Sequence, residues 1–302
     1  MARVFLTGAT GYLGGCLRGH LEASGHAVQC LDGRLADLPP DSIDAEVIVH
    51  AAAAVRGTTA YDRLAEQAES AVHRVNVDGT RRVLEAAPAD ARVILVSSKS
   101  VYGTAAESAV ATETAPPAPE DAYARSKLEA ETLVRARHRD FIVLRPATFF
   151  GHAHGRHGPP SIVTMIDTLL NHGEVPVFGG DQWVDPLHVH DLAALIERLC
   201  RGQCASGITL NVPGEVVSVE TMAESMLAAA GRLGIGGRLR RCAAPARVPL
   251  VMRSDRLARE LPDWAPTPAD RVVADLVARR RADRARGVEQ ARGGEIPRGG
   301  AR

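Results

Sequence analysis

The stretch RVFLTGATGYLGG, residues 3–15, decides how the rest of the chain is read. Five residues of β-branched and apolar character (RVFLT, 3–7) run straight into a glycine-rich turn. The turn then opens a segment of helical periodicity, YLGGCLRGHLEASG. Gly8, Gly11 and Gly14 allow a tight turn, close approach of backbone to a ligand and close packing of helix on strand. A strand-turn-helix of this kind presents N–H groups and the positive end of a helix to an anion, so a dinucleotide pyrophosphate is the expected occupant. Thr10, Tyr12 and Leu13 complete the turn.

Working outward, further candidate strands are AVQCLD (27–32), EVIVHAA (46–52), RVILVSS (92–98) and FIVLRP (141–146). Helical stretches separate them, including one from about Ala60 to Ala87 and one around Tyr123. This alternation predicts βαβ units on a parallel sheet covered on both faces, an α/β fold with a doubly wound, Rossmann-type sheet. Asp32 falls eighteen residues after Gly14, at the end of the second strand, where an acid accepts hydrogen bonds from the adenosine ribose and favours NAD. Arg34, two residues on, would suit the 2′-phosphate of NADP.

Tyr123 and Lys127 in YARSK (123–127) stand four apart, on one face of a helix. Alone, such a pair more often marks an aromatic at the core edge and a solvated charge. Its company changes the reading. The GxxGxxG spacing together with Tyr-x-x-x-Lys resembles the short-chain dehydrogenase/reductase superfamily, in its extended branch of epimerases, dehydratases and ketoreductases. The resemblance covers roughly residues 3–200 and continues in order through VIVHAAA (47–53), RVNVDGT (74–80), VSSKSVYG (96–103), LRPATFFG (144–151) and DPLHVHDLAAL (185–195).

That resemblance implies Tyr123 as acid/base, Lys127 as its electrostatic partner and Ser98 as the hydroxyl on the substrate oxygen. A free phenol titrates near about 10, so a nearby cation is needed for it to act at neutral pH. It also implies that Asp37, Leu38, Ala51, Ala52, Ala53, Asn76, Pro146 and Thr148 line the cofactor, and that the chain forms a homodimer with the Tyr123 helix in the interface. The family's 4,6-dehydratases carry a Glu or acidic pair after the catalytic Ser or Thr; here Lys99 and Ser100 stand there, which disfavours dehydration. Epimerisation or ketone reduction of a sugar, nucleotide sugar or natural-product ketone is the expected chemistry. The family's nucleotide-sugar enzymes carry a diphosphate-gripping Arg where Val184 stands here, which weighs against a nucleotide-diphosphate sugar and toward a natural-product ketone; Arg247 and Arg253 lie where the resemblance places another phosphate-gripping Arg. A non-catalytic NAD(P) sensor on the same fold is the alternative.

Composition narrows the partners. Across 302 residues, 36 Lys+Arg balance 36 Asp+Glu, which gives no overall pull toward nucleic acid or anionic lipid. Five scattered cysteines argue against a disulfide framework, and Cys200 and Cys204 read as small buried apolar groups. No leader or membrane span is legible, so a cytoplasmic location is expected. No metal is expected, although HAHGRH (152–157) gathers three histidines; that loop reads as a cleft rim. His188 and His190 read as a strand edge and helix entry with Asp191 as N-cap. We expect a dinucleotide-binding domain over 1–170 with segments returning near 185–212, a substrate-binding region over 171–278, and a disordered Arg-rich tail from 279 to 302.

Overall fold

The computed structural model describes residues 1–54, 70–104, 110–151, 160–243 and 250–293. Its strands are β1 (Arg3–Thr7), β2 (Ala27–Cys30), β3 (Val47–His50), β4 (Arg92–Val96), β5 (Val110–Ala111), β6 (Phe141–Pro146), β7 (Phe149–Phe150), β8 (Glu174–Phe178), β9 (Trp183–Val184), β10 (Leu187–His188), β11 (Ile208–Val212), β12 (Val217–Ser218), β13 (Arg238–Cys242) and β14 (Val251–Met252). The helices are α1 (Tyr12–Ala23), α2 (Gly79–Ala86), α3 (Ala122–Arg137), α4 (Pro160–His172), α5 (Val189–Cys200), α6 (Val219–Arg232), α7 (Asp255–Glu260) and α8 (Ala269–Gly293).

Six strands form one parallel sheet in the order β11-β6-β4-β3-β1-β2. Leu6, Ile48, Ile94, Leu95, Ile142 and Leu144 are fully buried, as expected when helices cover both faces. The chain leaves β1 to one side for β2 and to the other for β3, so the connections diverge between β1 and β3. Ligands of open α/β sheets bind at such a switch point, beyond the carboxyl ends of the strands. Here Thr7 and His50 are register partners at those ends.

A second apolar cluster lies away from the sheet. It joins Ile166 and Leu169 of α4, Val175 and Val177 of β8, Met222 and Met226 of α6, and Val272 and Leu276 of α8. β8 pairs with β13 in parallel beside it.

Several expectations need correction. α8 extends to Gly293, so the chain is helical well past Arg279, where a disordered tail was expected. Apolar residues one side of the helix, Val272, Val273, Leu276 and Val277, are buried, and Arg280 continues that packing by donating to both carboxylate oxygens of Asp167 at 2.7 Å. The second strand stops at Cys30 and leaves Asp32 beyond it. His188, not Asp191, is the N-cap of α5; Asp191 lies in the first turn and accepts from Thr267 N and Oγ1 at 2.6 and 2.8 Å. HAHGRH and Arg247 lie outside the described residues.

Candidate active site

The glycine turn after β1 is built by exclusion of side chains. Gly8 has φ +75°, and a Cβ there would come within 2.7 Å of Ala52 N. At Gly14 a Cβ would lie 2.0 Å from Gly8 O, and at Gly11 3.0 Å from the same oxygen. The turn is closed by Gly11 N donating to Gly8 O at 2.8 Å. α1 starts at Tyr12 with Gly11 as N-cap, no side-chain cap and no acid in its first turn, so its amides remain free to face an anion. These features fit a dinucleotide pyrophosphate. Tyr12 stacks on Phe149 at 5.7 Å and donates to Gly151 O, while Leu13 is buried in the core.

The adjoining wall is a chain of hydrogen bonds. Ala52 N donates to Thr7 Oγ1 (3.2 Å), Thr7 pairs with His50 Nδ1 (2.7 Å), and His50 Nε2 pairs with Thr80 Oγ1 (2.9 Å), which donates to Asn76 O (2.6 Å). One neutral His50 tautomer, with the proton on Nε2, satisfies every member. Burial, reinforced by the Lys127 charge, lowers the His50 pKa to about 3 and keeps it neutral. Asn76 sits in a π-helical turn, Arg74–Asp78, and its side chain bonds Ala54 N, Ala54 O and Ser126 Oγ at 2.8, 3.1 and 2.9 Å. It thereby joins the Ala51–Ala54 loop, which carries Ala52 and Ala53, to the Tyr123 helix.

Asp32, Arg34 and Asp37 are exposed past β2, and Leu38 is half-buried. A short 3-10 turn, Leu35–Asp37, leans on the Asn76 helix: a Cβ at Gly79 would meet Leu35 Cδ1 at 2.6 Å. Pro146 is buried at the end of β6, and Thr148 just beyond it is exposed.

Ser98, Tyr123 and Lys127 come together. α3 is capped by Asp121, whose carboxylate accepts from Ala124 N at 2.7 Å, and this fixes Tyr123 in the first turn. Ser98 follows β4 and hydrogen-bonds the Tyr123 phenol; its Oγ also accepts from Ser100 N and Oγ at 3.2 and 2.9 Å. Lys127 is buried and donates to Val96 O, the last residue of β4, at 2.7 Å. Burial raises the Tyr123 pKa to about 12 against the pull of Ser98, and lowers that of Lys127 to about 8 against the pull of Glu131. For the phenol, desolvation therefore outweighs the Ser98 hydrogen bond.

Three features escaped the sequence reading. Glu131, four residues beyond Lys127, is fully buried and takes hydrogen bonds from Ser97 (2.6 Å), Arg145 (2.9 and 2.6 Å) and Arg135 (2.7 Å). The i+4 spacing could have flagged it. Lys99 forms an ion pair with buried Asp185, 86 residues away, and Asp185 Oδ2 also accepts from Met252 N at 3.3 Å. Burial raises the Asp185 pKa against the Lys99 charge. The third is a gathering of Cys16, His20 and His190 between α1 and α5. Arg253, by contrast, is exposed and paired with Asp255 at 3.1 Å. Lys99 and Lys127 are also the chain's only lysines among its 36 basic residues.

This arrangement, a glycine turn at the sheet's switch point beside a Ser-Tyr-Lys trio, defines an enzyme of the NAD(P)-dependent short-chain dehydrogenase/reductase kind. Residues 4–212 match the model of the NAD dependent epimerase/dehydratase family, and the chain belongs to that family. It is 27% identical over 290 residues to a dTDP-4-dehydrorhamnose reductase of Mycolicibacterium smegmatis, covering 90% of this chain and 85% of that one. It is 30% identical over 268 residues to a UDP-glucose 4-epimerase of the same organism, covering 77% and 83%. Among solved structures, RMD from Pseudomonas aeruginosa complexed with NADPH superposes with a TM-score of 0.76 at 21% identity, covering 94% of this chain and all of that one. The expected fold class and family are thus borne out. No helix among the described residues is long and apolar enough to cross a membrane.

Proposed function

We propose that the protein reduces a ketone of a nucleotide-linked sugar, with Tyr123 as the proton donor. The observation that carries this reading is the convergence of Ser98, Tyr123 and Lys127 at the end of β4, on the same carboxyl edge of the sheet as the glycine turn after β1. A relative matched over 90% of this chain is a dTDP-4-dehydrorhamnose reductase, which supports reduction over other family chemistry.

NAD(P), held by the Gly8–Gly14 turn, by Asp32 or Arg34 at its adenosine end and by Lys127 near its nicotinamide ribose, would supply the hydride. Asp32 favours NAD, whereas Arg34 leaves NADP open. Ser98 donates a hydrogen bond to the substrate oxygen and orients it toward Tyr123. As that oxygen gains negative charge, the phenol hands over its proton. A phenol raised to about 12 stays protonated at neutral pH, so the chain by itself is set to donate. Lys127 stabilises the phenolate left behind. Lys99 and Ser100 place no carboxylate beside Ser98, which gives elimination of water no acid or base at those positions.

The test is to supply a dTDP-linked 4-keto-6-deoxyhexose with NADH or NADPH and follow loss of reduced nicotinamide. Turnover that falls about 10²- to 10⁴-fold in Tyr123→Phe, with cofactor affinity kept, supports the proposal. Reversible epimerisation of UDP-glucose without net cofactor consumption would favour the second reading, which rests on the epimerase relative. Cofactor binding with no turnover of either substrate would leave the sensor alternative standing.

A further inference from the structure

Cys16, His20 and His190 take no part in the steps above, yet they converge where α1 packs on α5. Cys16 and His20 are four residues apart and lie on one face of α1. His190, in the first turn of α5, reaches both: its Nδ1 is 3.2 Å from Cys16 Sγ and 3.0 Å from His20 Nε2. One ligating atom from each residue falls within 4.8 Å of the other two. Cys16 is buried, His20 half-buried and His190 exposed, so the cluster has an apolar floor and a side open to solvent.

These separations can be compared with those a metal would impose. With bonds of about 2.3 Å to sulfur and about 2.05 Å to nitrogen in a tetrahedron, neighbouring donors stand about 3.5 Å (S to N) and about 3.3 Å (N to N) apart. The two distances to His190 Nδ1 fall short of these by only a few tenths of an ångström, and the third separation, Cys16 to His20, is within 4.8 Å, so small ring rotations suffice. One thiolate and two imidazoles form a borderline-soft donor set, suited to zinc and unsuited to magnesium or calcium. His188 stacks on the His190 ring at 5.2 Å and lies 3.6 Å from Asp275 Oδ2, which supports the ring plane.

We propose that Cys16, His20 and His190 form a three-ligand site for zinc or a similar divalent ion, with the fourth position open to water or an added ligand. The ion clamps α1, which begins at the phosphate-binding turn, to α5. The same contacts without an ion would be a hydrogen-bonded triad in which the thiol and one imidazole N–H share the His190 Nδ1 lone pair. This departs from the expectation of no metal, because residues 174 positions apart leave no spacing to read.

The test uses the full chain purified without a polyhistidine tag, stripped with chelator and titrated with zinc by calorimetry, then with cobalt by absorption. One ion per chain, a thiolate-to-cobalt charge-transfer band, and a zinc-dependent rise in Tm are expected. Cys16→Ser should abolish the band and weaken zinc binding by more than about tenfold, and His190→Gln should weaken it comparably. His20→Gln offers the same readouts if Cys16→Ser does not fold. Absence of stoichiometric uptake, or uptake that the ligand substitutions leave unchanged, would overturn the proposal.

Discussion

Glu131 and Arg145 meet through two hydrogen bonds, 2.9 and 2.6 Å, in a region closed to solvent, one helical turn along α3 from Lys127. Arg145 also donates to Tyr102 Oη at 2.9 Å, and Tyr102 donates to Asn211 Oδ1 at 2.7 Å, so α3, β6, β11 and the segment that follows β4 are tied at one point. Despite burial, which acts to raise it, the Glu131 pKa is held below the usual carboxylate range by the Arg145 guanidinium and the Ser97 and Arg135 hydrogen bonds.

Removing one member leaves the other charge buried. Glu131→Gln should therefore lower unfolding stability by about 3–5 kcal/mol, whereas the paired change Glu131→Met with Arg145→Met should cost less than the single one. Denaturant unfolding of the two variants decides the point; a single change costing under about 1 kcal/mol would contradict the burial described.

Gly14→Ala should abolish NAD(P) binding, because the added Cβ meets backbone at 2.0 Å and backbone cannot rotate aside. Gly19→Ala is the control. It lies exposed inside α1 with nothing within 4 Å of the added carbon, and should stabilise by about 0.5–1 kcal/mol. Calorimetric cofactor titration and thermal melting distinguish the two; equal cofactor affinity in both variants would refute the close-approach argument.

Lys127 should titrate near pH 8 in the folded protein, against 10.5 for an unperturbed amine. Its folded value is lowered, so between about 8 and 10.5 the unfolded chain binds more protons and stability rises with pH across that window. With two lysines in the chain, carbon-13-labelled lysine gives two side-chain NMR signals to follow. Midpoints above 10 for both would show that burial does not govern the amine.

Truncation after residue 278 should lower stability by about 1–3 kcal/mol through loss of the Arg280–Asp167 pair, whereas truncation after residue 293 should leave it unchanged. Indistinguishable melting curves for the two would argue that the last turns of α8 hold nothing.

Groupings set by neighbours in sequence were legible. Gly8, Gly11 and Gly14 share a single turn, and Tyr123 and Lys127 share a single helix face, so pattern alone located them. The strands β1, β3, β4 and β6 announced themselves because both sheet faces are covered there and each is a largely apolar run, whereas of the two edge strands β2 is shorter than its pattern suggested and β11 was not singled out. Pairs that depend on the crossing of distant segments were not legible: Lys99 with Asp185, Cys16 with His190, Asp191 with Thr267. The end of α8 was misread for a related reason. Its arginines suggest a solvated tail until Asp167 and Asn171 of α4 are seen to receive Arg280 and Arg284.

The restriction of lysine to Lys99 and Lys127 has a practical side. Beyond the Met1 amine, the only primary amines the protein offers to an acylating or aldehyde reagent lie beside Ser98 and Tyr123. Lys127 is buried and donates to Val96 O, so a reagent must enter between α3 and β4 to reach its amine. A label that would scatter over the surface of most proteins should here act as a site-directed probe, its uptake reporting how open the cleft is.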